Sequence, residues 1–182
     1  MTSGRLSQLF AIAPLVLLGA CATLQVGAYQ DPGVRLEQYR TFDWGQRDPL
    51  PTGDARLDNN PFFDARVRAA VELELAARGL RRVSESPDLL VHYHASVQRR
   101  LEVIRTDEEL GYSYSGLGQA ATVVDFEEGT LLVDVAEATG KRILWRGWAR
   151  SDVGGAIADP RELEKRVTTA VHRMMEQFPR LP

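Results

Sequence analysis

The sequence predicts an α+β fold, a two-layer sandwich in which two amphipathic helices cover one face of a mainly antiparallel β-sheet. Three observations carry that expectation. Two stretches show apolar residues at helical spacing, each opened by a capping residue and a proline; several β-rich runs alternate between two faces; and turns containing Gly or Pro are short enough for neighbouring runs to pair locally. With 182 residues, 44% apolar and 26% charged, the chain suits one globular core.

Taken in order, Leu24, Val26 and Ala28 fall on one face of a first strand, and Tyr39, Thr41, Phe42 and Trp44 make a second, with Asp31-Pro32-Gly33 turning between them. Gly45 to Asn60 has no period, contains Pro49, Pro51 and Gly53, and reads as a surface loop. Asn60 caps the first helix and Pro61 takes its first position, where a missing N–H costs nothing. Phe63, Val67, Ala70, Val71 and Leu75 form its buried stripe, Gly79 ends it, and Arg66, Arg68, Glu72, Glu74 and Arg78 read as its solvated face.

Leu80 to Val83 continues as a strand, and Pro87-Asp88 turns into a longer one. There Leu89, Val91, Tyr93, Ala95 and Val97 share one face while Leu90, His92, His94 and Ser96 share the other; the strand extends to Val103 or Ile104. Gly111 to Gln119, rich in Gly, Tyr and Ser, is a loop or the tip of a long hairpin. Thr122 to Phe126 runs through Glu128-Gly129 into Thr130 to Val135, and Thr139-Gly140-Lys141 reverses the chain into Ile143 to Ala149. Leu131, Val133 and Val135 share a core face, as do Ile143, Trp145, Gly147 and Ala149; Gly154-Gly155 ends the sheet. Asp159 and Glu162 have the spacing of a capping box on the second helix, whose stripe is Leu163, Val167, Ala170, Val171, Met174 and Phe178, with Pro179 as its stop.

The N-terminus has its own signal. Arg5 precedes an apolar run from Leu9 to Leu18 that is too short to span a bilayer, the layout of a secretory signal peptide over residues 1–20. Leu18-Gly19-Ala20-Cys21 resembles the bacterial lipobox: an apolar residue, two small residues that fit a signal peptidase, and the only Cys of the chain. That resemblance implies cleavage before Cys21, acylation of its thiol and new amine, and a single domain over residues 21–182. Several acyl chains anchor stably where one binds only marginally. Ala22, rather than an Asp, favours outer-membrane sorting in a cell with two membranes. The plainer alternative is an ordinary signal peptide followed by a buried Cys.

Chemistry is sparse by comparison. The net charge of −3 argues against a phosphate-backbone partner, which needs clustered Lys and Arg. Neither Gly111 to Ser115 nor Ser115 to Gly118 completes a nucleophile elbow, a phosphate loop or a dinucleotide fingerprint. Glu108-Glu109 and Glu127-Glu128 are adjacent acids, whose side chains point apart. His92 and His94 could converge on one metal, about 7 Å apart by strand rise. A third ligand would have to come from Asp125, Asp134 or His172, and the plainer reading is a His pair on a polar strand face. Trp145 and Trp148 have opposite parity; Trp145 belongs to the core and Trp148 lies under a helix or at the surface, where Trp can stack on a glycan or partner.

Tyr39-x-Thr41-Phe42-Asp43-Trp44, Asn60-Pro61, Ala77-Arg78-Gly79-Leu80, Pro87-Asp88-Leu89-Leu90-Val91-x-Tyr93-His94, Glu128-Gly129-Thr130-Leu131-Leu132-Val133-Asp134 and Leu144-Trp145-Arg146-Gly147 occur in an order that resembles the DUF4136 family of bacterial lipoproteins. What the resemblance implies is an α+β envelope lipoprotein without an established activity. The expectation is therefore a membrane-anchored, non-catalytic envelope module facing the periplasm, needing no cofactor. Its partners would be the bilayer, through Cys21, and an envelope protein or glycan, with no nucleic acid. The alternative is a metal-binding or hydrolytic periplasmic enzyme using His92 and His94.

Overall fold

Alternating apolar residues lay down a six-stranded sheet in the computed structural model, which describes residues 24–46, 50–105, 121–138 and 142–181. The strands are β1 (Gln25–Gln30), β2 (Thr41–Trp44), β3 (Arg81–Arg82), β4 (Leu89–Arg105), β5 (Ala121–Glu137) and β6 (Ile143–Asp152), in the order β1-β6-β5-β4-β2-β3. Helices α1 (Pro61–Ala77) and α2 (Pro160–Met175) pack on each other and on one face. The fold is the α+β sandwich that the patterning predicts. Among the described residues no helix is long and apolar enough to cross a membrane.

Capping sets where both helices begin. Asn60 Oδ1 accepts from the Phe62 and Phe63 N–H groups at 3.0 and 3.1 Å, and Gly79, at φ +93°, ends α1 in the left-handed region that favours glycine. On α2 the expected capping box is only half formed. Asp159 Oδ1 accepts from the Arg161 and Glu162 N–H groups, but the Glu162 carboxylate accepts from Arg166 Nε at 3.0 Å, one turn on, while the Asp159 N–H donates to the Ala156 carbonyl. The core then forms by parity. Val67, Val71 and Leu75 of α1 with Val171 and Met174 of α2 meet Val91, Val133, Val135 and Trp145 from the sheet, all 0% exposed.

Two sheet details depart from the sequence pattern. β2 is parallel to both β4 and β3, because the chain leaves β2 at one end of the sheet and returns through α1 to the other. In β6 a register shift at Val135/Ala136 sends the strand start off the core face, so Leu144 (1% exposed) is buried beside Trp145 and Ile143 is left 40% exposed.

Strand lengths are unequal. β2 pairs with β4 only from Leu89 to Val91, and β6 pairs with β5 only as far as Glu128. β4 and β5 pair with each other over their full lengths, so residues 99–105 and 121–127 run on as a two-stranded ribbon beyond the last rung of β6. The Gly111–Gln119 segment, the Thr139–Lys141 turn and the Leu18–Cys21 motif lie outside the described residues.

Candidate functional site

Because β2 stops at Trp44, the edge of β4 past Val91 is left to the loop that follows. The loop is tied to that edge at two points, Gly45 N–H to the Val91 carbonyl (2.9 Å) and Val97 N–H to the Thr52 carbonyl (2.7 Å). Between the ties lies a cleft of about 410 Å³, within the range of small-ligand sites. Its lining includes Trp44, Phe63, Asp64, Arg68 and Tyr93, with His92 and His94.

The cleft is built around Asp64, 7% exposed and the one buried charged residue among those described. It sits next to Phe63 on the stripe of α1. Both carboxylate oxygens accept from Arg68 Nε at 3.0 Å, one turn on, and Oδ1 also accepts from the Tyr93 hydroxyl at 2.9 Å. Such pairing offsets the cost of burying the carboxylate. The Arg68 guanidinium lies 4.4 Å from the Trp44 ring centroid. Trp44 and Phe63 each meet Tyr93 edge to face, at 6.2 and 6.4 Å. From there the network runs out to the sheet edge: Trp44 Nε1 donates to Glu72 (2.7 Å), and Arg82 bridges Glu72 and Asp43. The Trp44 N–H and the Arg82 guanidinium hold the Asp43 carboxyl below its ordinary range. Thr52 Oγ1 donates to Asp58, whose carboxylate also accepts from the Thr52 N–H, latching the loop.

His92 and His94 share the open face as their parity requires. The imidazole of His92 covers Gly45, where an added Cβ would come within 1.9 Å of Cε1, and its Nδ1 stands 3.3 Å from the Gln46 carbonyl. His94 lies opposite Leu132 on β5. Asp134 stands directly opposite His92, closer than the sequence could place it, but both its oxygens accept from Arg146 at 2.6 and 2.7 Å, which keeps that guanidinium firmly charged. His172 is on the helix layer, with Nδ1 2.8 Å from Glu74. Asp125 pairs with Leu101 far along the ribbon, and its side chain lies outside the described residues. Among the described residues no three His, Cys, Asp or Glu side chains form a group that could hold a metal.

Trp145 is wholly buried, edge to face with Phe178 at 5.1 Å. Trp148 is on the open face, its indole lying over Gly27. The supposed solvated face of α1 is corrected by this geometry. Arg68, Glu72, Glu74 and Arg78 are all partly buried and specifically paired, because both the sheet edge and α2 flank that side of the helix. Asp64, Arg68, Trp44 and Tyr93 were not singled out by sequence reasoning as a group. The available signal was an Asp beside Phe63 on an apolar stripe with an Arg at i+4.

The family model for a domain of unknown function, DUF4136, matches residues 26–180. None of the curated proteins compared with the chain matches it. Among solved structures, a PDZ domain protein from Parabacteroides distasonis is similar at 15% identity and a TM-score of 0.53, over 88% of this chain. This chain spans only 36% of that protein's length. A DUF4136 family protein from Bacteroides thetaiotaomicron (16% identity, TM-score 0.46) is covered over 97% of its length and 87% of this chain. A PelC dodecamer from Paraburkholderia phytofirmans (9% identity, TM-score 0.46) is covered over 100% of its length and 88% of this chain. With the match running from the second residue of β1 to past the end of α2, the chain belongs to the DUF4136 family.

Proposed function

We propose that this protein is a lipid-anchored component of the bacterial cell envelope, held at the outer membrane and facing the periplasm, whose domain recognises another envelope component without catalysing a reaction. The observation that carries the reading is Leu18-Gly19-Ala20-Cys21 at the end of a short apolar run, with the only thiol at the one position where lipoprotein processing uses it. β1 begins four residues later, so the fold starts directly after the proposed anchor.

The cleft supports recognition over chemistry. Its aromatic walls offer contact area, and its polar groups are engaged by one another: Asp64 with Arg68 and Tyr93, Thr52 with Asp58, His92 with Gln46. The partner of this reading is an envelope protein or glycan seated against Trp44 and Tyr93. Mass spectrometry of Cys21 in protein taken from membranes tests the anchor; an unmodified thiol on a processed chain overturns it. Affinity capture from membranes with wild-type and Trp44→Ala protein tests the cleft, and an identical set of captured components overturns its role.

A further inference from the structure

The β4–β5 ribbon and the proposed anchor leave the sheet at the same end. β1 starts there, with Gln25 opposite Arg150, and Arg150 stands opposite Thr130, which stands opposite Ser96; the ribbon projects onward from Gln98 and Glu128. From Gln98 to Arg105 it reaches about 24 Å along its axis at roughly 3.4 Å per residue. The chain from Cys21 to Gln25 reaches at most about 14 Å fully extended.

From this we infer that the ribbon, residues 98–105 and 121–128, is a second membrane contact that lies against the lipid bilayer. The inference rests on the anchor proposed above. With Cys21 at the bilayer, Gln25 stays within the tether's reach, and with this end of the sheet facing the membrane a ribbon longer than that tether meets the lipid surface. Followed back from Gln30 to Gln25, β1 runs in the ribbon's direction, so the proposed anchor lies at this end of the sheet.

The ribbon carries Leu101, Val103, Ile104, Val123, Val124 and Phe126, and two exposed apolar side chains stand at this end of the molecule, Leu101 (68% exposed) and Phe62 (71%) in the first turn of α1. A two-stranded ribbon is marginally stable by itself in water. Glu128 still pairs with Asp152 and the Glu127 carbonyl accepts from the Val153 N–H, but among the described residues no strand pairs with the outer edges of 99–105 and 121–126, so a covering surface would stabilise that part. Its charges nearly cancel, Arg99, Arg100 and Arg105 against Glu102, Asp125, Glu127 and Glu128. Binding by that surface is therefore insensitive to salt and does not need anionic lipid.

The test is hydrogen exchange on the lipidated mature chain in phosphatidylcholine vesicles, compared with the Cys21→Ser mature chain beside the same vesicles. Amides of 98–105 and 121–128 are expected to slow at least tenfold in the tethered protein, equally at low and high salt, with α1 and α2 unchanged. Leu101→Asp, at an exposed position, should reduce that slowing without lowering the melting temperature. Equal exchange in the two samples overturns the contact. Slowing that appears without vesicles and grows with protein concentration also overturns it, in favour of a second copy of the chain. The mass of Cys21 reads the anchor separately. Should the cell leave that thiol free, the anchor reading fails by itself, and coupling the thiol to a maleimide phospholipid restores the tether so that the same exchange measurement still decides the ribbon's contact.

Discussion

Asp64 shows how one residue converts a helix stripe into a cleft wall. Removing its carboxylate takes away the acceptor that Arg68 Nε and the Tyr93 hydroxyl share at the α1–sheet boundary. Asp64→Ala should therefore destabilise the domain by about 3 kcal/mol, whereas Tyr93→Phe, which removes the hydroxyl that donates to Asp64 and keeps the ring, should cost about 1 kcal/mol. Urea unfolding of the two variants checks the ratio; equal small losses would show that water replaces both partners. Asp88 is a second case, with a pH signature. Its carboxylate accepts from the Arg40 and Thr41 N–H groups at 2.9 Å, tying β2 to the start of β4. The Arg40 N–H leads in holding its pKa below the ordinary 3.8, against an opposing effect of burial. A carboxylate depressed in the folded state contributes stability that is present above its unfolded pKa and is lost as pH falls through the folded one. The wild type should thus lose this contribution below about pH 4, and Asp88→Asn should have lost it already at pH 7. Urea midpoints between pH 7 and 3 check this, and parallel curves for the two proteins would refute it.

At the level of elements, two glycines, one on a flanking strand and one just past another, make room for rings from their neighbours. Gly45, just past β2, lies under His92 of β4, and Gly27 of β1 lies under Trp148 of β6. Gly45→Ala should destabilise by about 1–3 kcal/mol through overpacking, and His92→Ala in the same chain should recover most of it; a double-mutant cycle measures the coupling. Additive losses would mean that the ring simply moves aside. The cycle also bears on metal binding, since a ring packed on Gly45 has a structural reason to be His or another flat side chain. On the helix layer, Val171 is 0% exposed at the centre of the α2 stripe. Val171→Asp would bury an unpaired charge at a cost of several kcal/mol, enough to unfold a domain of ordinary stability of about 5–15 kcal/mol. An unchanged melting temperature would show that α2 does not hold the sheet.

For the molecule as a whole, the choice between a recognition module and a metal enzyme rests on content rather than shape. His92 and His94 share a face, but Asp134 is engaged by Arg146 and His172 stands on the opposite layer with Glu74. The expected outcome is that purified mature protein holds no stoichiometric transition metal. One equivalent of zinc per chain, lost in the His92→Ala/His94→Ala double variant, would reverse the ranking and make the metal reading the leading one.

What the sequence determined by itself is whatever depends on near neighbours. Asn60-Pro61 and Asp159-Pro160 start the helices, Gly79 ends one, and strict alternation from Leu89 to Val97 assigns each side chain to a face, because caps and parity act over a few residues. The proposed processing motif at Leu18 to Cys21 rests on the same kind of local pattern. Three features were decided only by tertiary structure. The parallel placement of β2 depends on where the crossover through α1 returns. The cleft exists because β2 is shorter than β4, and strand length is set by what can pair alongside. The Asp64–Arg68–Tyr93–Trp44 network joins residues from α1, β4 and β2 that are separated by up to 49 positions in the chain, and only packing of the helix on the sheet edge gives the carboxylate its partners. A charged residue on an apolar stripe is legible as an anomaly from sequence; what neutralises it is not, since the long-range contacts that do so carry no local signature.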